Sequence, residues 1–421
     1  MMLCAGGTLV CWLGLASLVI AEPRNVTVSG PTRLDWEFVS HRFARDAADQ
    51  LESYDSKKQR YQLYIPGNYS KTRAWPLIVF VSPSKDPLGW DRFENVCERE
   101  GIFFCSPYRA GNTVPGGLRS RIILDVTDDV RRRFRIDPNQ TYIGGFSGGG
   151  RLACTVGFAM PEIFAGIIPV CGTNPPGSLT YLRHRLVDRV SVAFVTGEQD
   201  FNRRENEVWM APYVKELDVR SRLWIAPGTG HDIPGPALME DVVAWLAADV
   251  RRRQEDARDR PLLNFKADEA LRDDALADRL FEAAQNELKE KQRVWNGVAI
   301  LHGIASRWPK SETAAKSKGL LEKVAGDERL VEELGPLRWN DDRKSFGAQA
   351  RGLERFGMTP KAIEVWQALS AQYPDSPIAD EAQKEIDRLK SQPVAPVDPG
   401  QGGPPRRGRA VRKPSNPAGA K

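Results

Sequence analysis

Residues 141–154, TYIGGFSGGGRLAC, set one serine among glycines where an apolar run gives way to a helical pattern. Few folds accept such a stretch. A chain that leaves a strand and enters a helix within one residue turns so tightly that side chains two before and two after the serine would strike the adjoining strand and helix. Glycine stands at both positions, 145 and 149. The turn holds the Ser147 hydroxyl clear of the backbone, next to the free N–H groups and positive dipole end of a helix N-terminus. The competing use of so many glycines is a phosphate-binding loop or a plain tight turn, but the Gly-Lys-Ser/Thr of a phosphate loop is missing.

The flanking pattern supports the strand–turn–helix reading. Between residue 61 and about 253, apolar runs alternate with helical spacings. Strands are expected at 60–65, 76–82, 102–107, 140–144, 164–171, 191–197 and 222–228. Run 76–82, PLIVFVS, is apolar almost throughout, as a strand buried on both faces must be. Helices are expected at 88–101, 119–134, from about 148 to 160, and at 236–250. This alternation implies an α/β fold, a mostly parallel sheet covered by helices on both faces. Between 172 and 189 there is no room for a cap domain.

Beyond 250 the pattern changes. Residues 251–260 are nearly all charged and read as a solvated helix end or a linker. From 261 to 389 no convincing strand occurs, and a smaller all-α region is expected. Segment 299–324 resembles segment 364–389, each with an aromatic-Pro-x-Ser step between two helical patterns. That is the pattern of paired helical hairpins of the tetratricopeptide kind, although the 65-residue offset is unusual for them. Residues 390–421 are rich in Pro, Gly and Arg and are expected to be disordered. The expected units are therefore 1–21 as a signal peptide, 22–59 as an N-terminal extension with a first strand, 60–253 as the α/β unit, 261–389 as the helical unit and 390–421 as a basic tail.

The chain carries a net charge of +5. From Pro393 onward six cations stand against the single anion Asp398, so the tail accounts for the whole excess. The rest is formally neutral and has no bulk electrostatic reason to seek nucleic acid. The first 21 residues are apolar and uncharged, ending Val19-Ile20-Ala21 before Glu22-Pro23. They read as a secretory signal, and a secreted or periplasmic location is expected; a retained membrane anchor is the alternative. Without that segment, Cys97, Cys105, Cys154 and Cys171 remain, an even number that permits disulfides in three pairings. The alternative is four buried thiols packed as small hydrophobes. No spacing points to a metal site, and no cofactor is implied.

A serine hydroxyl needs a base to take its proton. The chain has four histidines. His41 and His184 lack supporting context, and His302 lies in a helical pattern. His231 sits in a Gly-rich loop, APGTGHDIPGP, after the last expected strand. Loops at the carboxyl ends of parallel strands converge on one site, which makes His231 the base. A carboxylate must orient it. In the loop after 191–197, TGEQDFNRRE, Asp200 is the leading acid; Glu198 is its rival, and Asp232 is too close to His231 in the chain.

The order Ser147, Asp200, His231 and the segment IDPNQTYIGGFSGGGRLA…MPEIFAGIIPVCGTNPP resemble the esterases of the polyhydroxybutyrate-depolymerase and feruloyl-esterase group within the α/β-hydrolases. YQLYIPGNYSKTRAWPLIVFV resembles their opening strands, so the likeness covers about 60–250. It implies acyl transfer from an ester to serine and then to water, with Ser147, Asp200 and His231 as the triad. The group usually has His-Gly after the strand equivalent to 76–82, and that backbone helps form the oxyanion hole. Here the sequence is FVSPSKDP, and Pro83 has no N–H to give. Gly148 N–H can supply one donor; the other is expected from Ser84 N–H, from a side chain such as Ser82, or from elsewhere. Trp90, Tyr108 and Trp209 are expected in loops that could border the cleft. Arg203 and Arg204 would favour an acidic substrate or form a solvated loop.

Three activities fit these residues. An esterase would act on a small-molecule or polysaccharide-linked carboxylic ester. A prolyl-oligopeptidase-like peptidase would use the same triad, but no propeller repeat accompanies it. A non-catalytic binding protein, gripping a protein partner through the helical unit, would account for the unusual SPSK loop.

Overall fold

The computed structural model describes residues 22–40 and 53–391. The signal or anchor segment, Cys4, Cys11, His41 and the basic tail lie outside the described residues. Eight strands form one sheet: β1 (Arg24–Thr27), β2 (Arg60–Tyr64), β3 (Trp75–Val81), β4 (Phe103–Pro107), β5 (Ile136–Phe146), β6 (Gly166–Val170), β7 (Ser191–Gly197) and β8 (Arg220–Ala226). Their order is β1-β2-β4-β3-β5-β6-β7-β8. Strand β2 runs antiparallel to β1 and β4, while β3 to β8 are mutually parallel. This is the strand order of the α/β-hydrolase fold. Every residue of β4, β6 and β7 is buried, which is why those segments are predominantly apolar, with Ser106, Ser191 and Thr196 as the buried polar exceptions.

The two faces of the sheet carry separate cores. One is covered by the helices Gly116–Arg133, Gly148–Ala159 and Thr180–Arg189, the other by Trp90–Glu100 and Pro236–Ala247. The first core does not stop at the α/β unit. Tyr181, Leu182 and Leu186 pack in one cluster with Leu271 and with Leu276, Leu280, Ile300 and Ile304 of the helices that follow. Those helices are Asp273–Glu287, Val294–Arg307, Glu312–Gly326, Glu328–Arg355, Thr359–Gln372 and Pro377–Ser391. Both segments of the internal repeat are helical hairpins: the first spans the end of Val294–Arg307 and most of Glu312–Gly326, the second most of Thr359–Gln372 and Pro377–Ser391.

Two expectations need correcting. The charged run after 250 is not a linker, and although Arg251, Gln254, Glu255, Arg258 and Asp259 are solvated, it has a buried side as well. It forms the helix Val250–Asp259, in which Arg253 and Asp256 are buried. Arg253 donates to Ser191 Oγ at 2.9 Å, Leu246 O at 3.0 Å and Asn139 O at 3.2 Å, stapling the helix to the entry ends of the strands. Of the two cysteine readings, the thiols hold and the disulfides do not: Cys97, Cys105, Cys154 and Cys171 are all free and buried. Among the described residues no helix is long and apolar enough to cross a membrane.

Candidate active site

Strand β5 ends at Phe146, and the helix Gly148–Ala159 begins two residues later. Ser147, between them, has φ 54°, a left-handed backbone that a non-glycine residue adopts only under constraint. The constraint comes from the neighbours. A Cβ at Gly149 would lie 2.0 Å from the Val81 carbonyl oxygen, and one at Gly145 would lie 2.5 Å from the Gly149 carbonyl. The elbow is closed by backbone on backbone, and Ser147 N–H donates to Val170 O at 2.7 Å.

Three distant segments meet over that serine. His231 Nε2 lies 2.9 Å from Ser147 Oγ, and His231 Nδ1 lies 2.7 Å from Asp200 Oδ1. Asp200 is buried. Its Oδ2 accepts from Thr196 Oγ1 at 2.7 Å, and its Oδ1 also accepts from Asn202 N–H at 3.0 Å. An ionised carboxylate only accepts, so the proton on His231 belongs on Nδ1, leaving the Nε2 lone pair facing the serine hydroxyl. Gly197, at the end of β7, lets the acid loop touch the histidine loop: a Cβ there would lie 2.2 Å from the carbonyls of Thr229 and Gly230. The rival acids are turned elsewhere. Glu198 accepts from Gly228 N–H at 2.8 Å, and Asp232 accepts from Ile233 N–H at 2.7 Å.

The acid loop is braced from both sides. Arg151, one turn beyond Ser147, forks onto Glu205 with 2.5 and 2.6 Å bonds. Arg203 pairs with Glu207 at 2.9 Å. Arg204 donates to Phe356 O at 2.9 Å and Arg355 O at 3.3 Å, at the C-terminus of the long helix Glu328–Arg355. The two arginines are thus engaged by the protein and do not form a free anion-recognition pair.

Cys171, Asp200 and His231 bring ligand-type atoms within 4.8 Å of one another. The carboxylate and imidazole are already bonded as described, and burial and the Asp200 charge push the Cys171 thiol up to about 12, so it stays protonated.

Several expected site residues fall elsewhere. Trp90 packs on Tyr64 and Phe104, with ring centroids 4.5 and 5.6 Å away, and belongs to the core. Tyr108 donates its hydroxyl to Asn25 Oδ1 at 2.8 Å, beside the β1–β2 edge. Trp209 stacks on Phe356 of the helical region. All three are amphipathic aromatics that suit a cleft or a packed contact equally, and here they pack against other parts of the protein. Ser84 N–H is directed at Ser82 Oγ, 3.1 Å away, and the two hydroxyls lie 2.9 Å apart. The expected second oxyanion donor is therefore committed inside its own loop, and Ser82 with it. Gly148 keeps its place at the first turn of the elbow helix, where N–H groups have no partner within the helix.

Three other residues at the site, Phe201, Phe146 and Asn112, are absent from the residues expected there. Phe201 is 62% exposed and stacks on the His231 ring with centroids 4.0 Å apart, while the Phe146 ring lies 4.9 Å from the same imidazole, tilted by 43°. Asn112 lies against Gly148: a Cβ on that glycine would be 2.0 Å from Asn112 Oδ1 and 2.6 Å from Nδ2. Only Phe201 carried a hint, as a large apolar residue directly after the acid.

No protein-family profile matches the chain. Over 61 residues it is 39% identical to a poly(3-hydroxybutyrate) depolymerase of Ralstonia pickettii, an alignment covering 14% of this chain and 12% of that protein. Solved structures with similar folds include an S-formylglutathione hydrolase, FrmB, of Staphylococcus aureus (17% identity, 46% of this chain and 90% of that one, TM-score 0.37). Another is Est1E of Butyrivibrio proteoclasticus (16% identity, 47% and 97%, TM-score 0.34). At these scores the likenesses carry no weight, and the fold rests on the strand order itself.

Proposed function

We propose that the protein is a serine hydrolase of the carboxylic-ester class, with Ser147 as nucleophile, His231 as general base and acid, and Asp200 as the group that orients the imidazole. One observation carries the reading: a single imidazole reaches Ser147 Oγ at 2.9 Å and Asp200 Oδ1 at 2.7 Å. In acylation, Ser147 Oγ bonds to the ester carbonyl carbon as its proton passes to His231 Nε2, and the carbonyl π pair moves onto oxygen. Collapse re-forms the C=O bond and expels the alcohol oxygen, which takes the proton from Nε2. Water then repeats the sequence on the acyl-enzyme and releases the acid. Asp200 stays ionised throughout and stabilises the imidazolium.

The name of the matched depolymerase refers to a polyester, which favours an ester over a peptide substrate. The apolar start of the chain favours an extracytoplasmic site of action, and the end of the long helix Glu328–Arg355 braces the acid loop through Arg204. The test is a panel of nitrophenyl esters against peptide anilides, with Ser147→Ala as control. Ester turnover that vanishes in Ser147→Ala is expected. Turnover of anilides alone would favour the peptidase, and no turnover of either would favour a binding protein.

A further inference from the structure

The reading above leaves the oxyanion hole one donor short. Gly148 N–H is available, but Pro83 has no N–H and Ser84 N–H is committed to Ser82 Oγ. We propose that the side-chain amide of Asn112 is the second oxyanion donor, replacing the backbone donor that the Ser82-Pro83-Ser84 loop does not provide; this inference rests on the hydrolase reading.

Three observations converge on Asn112. First, its carboxamide occupies the space directly in front of Gly148, with Oδ1, Cγ and Nδ2 at 2.0, 2.6 and 2.6 Å from the point a Cβ would take. The group is therefore next to the residue that supplies the first donor and one residue from the nucleophile. Second, the loop bearing it is zipped to the loop that would ordinarily carry the missing donor. Asn112 N–H donates to Pro83 O at 2.8 Å, Arg109 N–H donates to Lys85 O at 2.7 Å, and a Cβ at Gly111 would lie 2.5 Å from the Ser84 carbonyl. Arg119 anchors the same loop from below, donating to Ala110 O at 2.6 Å and reaching Gly148 O at 3.4 Å. Third, Asn112 is exposed, and among the described residues its carboxamide makes no hydrogen bond. Its position is thus fixed by the backbone while its N–H group remains unspent. Because no bond holds the amide in one sense, a half-turn about Cγ presents either end to a ligand.

A neutral amide suits the task. It donates to the negative oxygen that forms as Ser147 attacks, transfers no proton, and loses the bond when the carbonyl re-forms. Removing one such donor typically lowers kcat by ~10²–10³ with little effect on KM, because the bond strengthens only as charge develops.

The experiment uses the full chain on the best nitrophenyl ester, with kcat, KM and the rate of fluorophosphonate labelling measured for wild type, Asn112→Ala, Asn112→Asp, Gly148→Ala and Ser147→Ala. Asn112→Ala should lower kcat ~10²–10³-fold, with KM within about threefold, and should slow labelling in parallel. Asn112→Asp, which keeps the shape but puts a carboxylate beside the oxyanion, should be slower still. Gly148→Ala keeps its own N–H but displaces the carboxamide, and should resemble Asn112→Ala; it decides the matter should the loop variants misfold. An Asn112→Ala enzyme with kcat within threefold of wild type, while Ser147→Ala is inactive, would overturn the inference and leave the hydrolase reading standing. A wild-type chain that neither turns over esters nor labels would overturn both.

Discussion

Substituting Gly149 by alanine tests the elbow most sharply. The new methyl carbon would sit 2.0 Å from the Val81 carbonyl oxygen, where ordinary contact begins at 3.4 Å. The end of β3 and the elbow helix would have to part by about 1.4 Å in a close-packed interior. No rotamer relieves the clash, because the obstructing atom is backbone. Overpacking against movable side chains costs about 1–3 kcal/mol, and backbone against backbone should exceed that, at about 4 kcal/mol or more. Such a loss lowers the melting temperature by about 8–16 °C for a unit of this size. If the chain folds, the shift also separates Ser147 from His231, and a misplacement of about 1 Å costs ~10²-fold in rate. Thermal melting followed by circular dichroism, paired with ester kinetics, measures both. Gly230→Ala is the control, since a Cβ there meets nothing within 4 Å. A Gly149→Ala protein melting within about 2 °C of wild type with full activity would refute the steric account of the elbow.

Other consequences follow from the seams around the site. A Cβ at Gly303 would lie 2.3 Å from Cδ1 of the buried Tyr181 ring, so Gly303→Ala should cost about 2 kcal/mol and lower the melting temperature without changing kcat at low temperature. Burial alone would raise the Asp341 carboxyl, but the His184 hydrogen bond, the Arg183 charge and the Trp295 N–H outweigh it and hold the carboxyl well below its ordinary range. A depressed carboxyl stabilises the fold fully above the unfolded-state value of about 4, and that stability is lost as pH falls. Asp341→Asn should therefore be less stable at pH 7 by about 3 kcal/mol, with a shallower loss on acidification below about pH 4 in urea titrations. Phe201→Ala should leave the melting temperature unchanged, because the ring is largely exposed, while losing its stack on His231 should lower kcat/KM about two- to fivefold in steady-state assays.

What could be read from the chain depended on how local the signal was. Strands β3 and β7 were legible because burial on both faces leaves mostly apolar residues (WPLIVFV in β3, VAFV at the centre of β7), and no tertiary partner is needed to see it. The elbow was legible because its glycines answer a local collision. His231 and Asp200 were found by topology, as residues of loops at the exit ends of parallel strands. Groups whose meaning depends on a distant partner were hidden. Asp125, Asp128 and Asp129 look like the polar face of a helix, yet they are buried beneath the N-terminal segment. Asp125 accepts from Thr32 N–H at 2.7 Å, and Asp129 from Tyr61 Oη at 2.7 Å. Arg253 looks like one member of a charged run until Ser191, Leu246 and Asn139 surround it. Trp90, Tyr108 and Trp209 carried the right chemistry for a cleft, and only packing distinguishes a cleft from a packed contact. Asn112 was hidden for the same reason: 36 residues separate it from Gly148, and nothing in the intervening pattern announces the contact.

The account rests on Ser147 being made nucleophilic by His231. Intact-mass and peptide-level mass spectrometry after treatment with a fluorophosphonate measures this directly. One adduct per chain, on the peptide bearing Ser147, absent in Ser147→Ala and strongly slowed in His231→Ala, is the predicted result. A folded wild-type chain that takes up no adduct, or takes it up equally fast without the imidazole, would contradict the account.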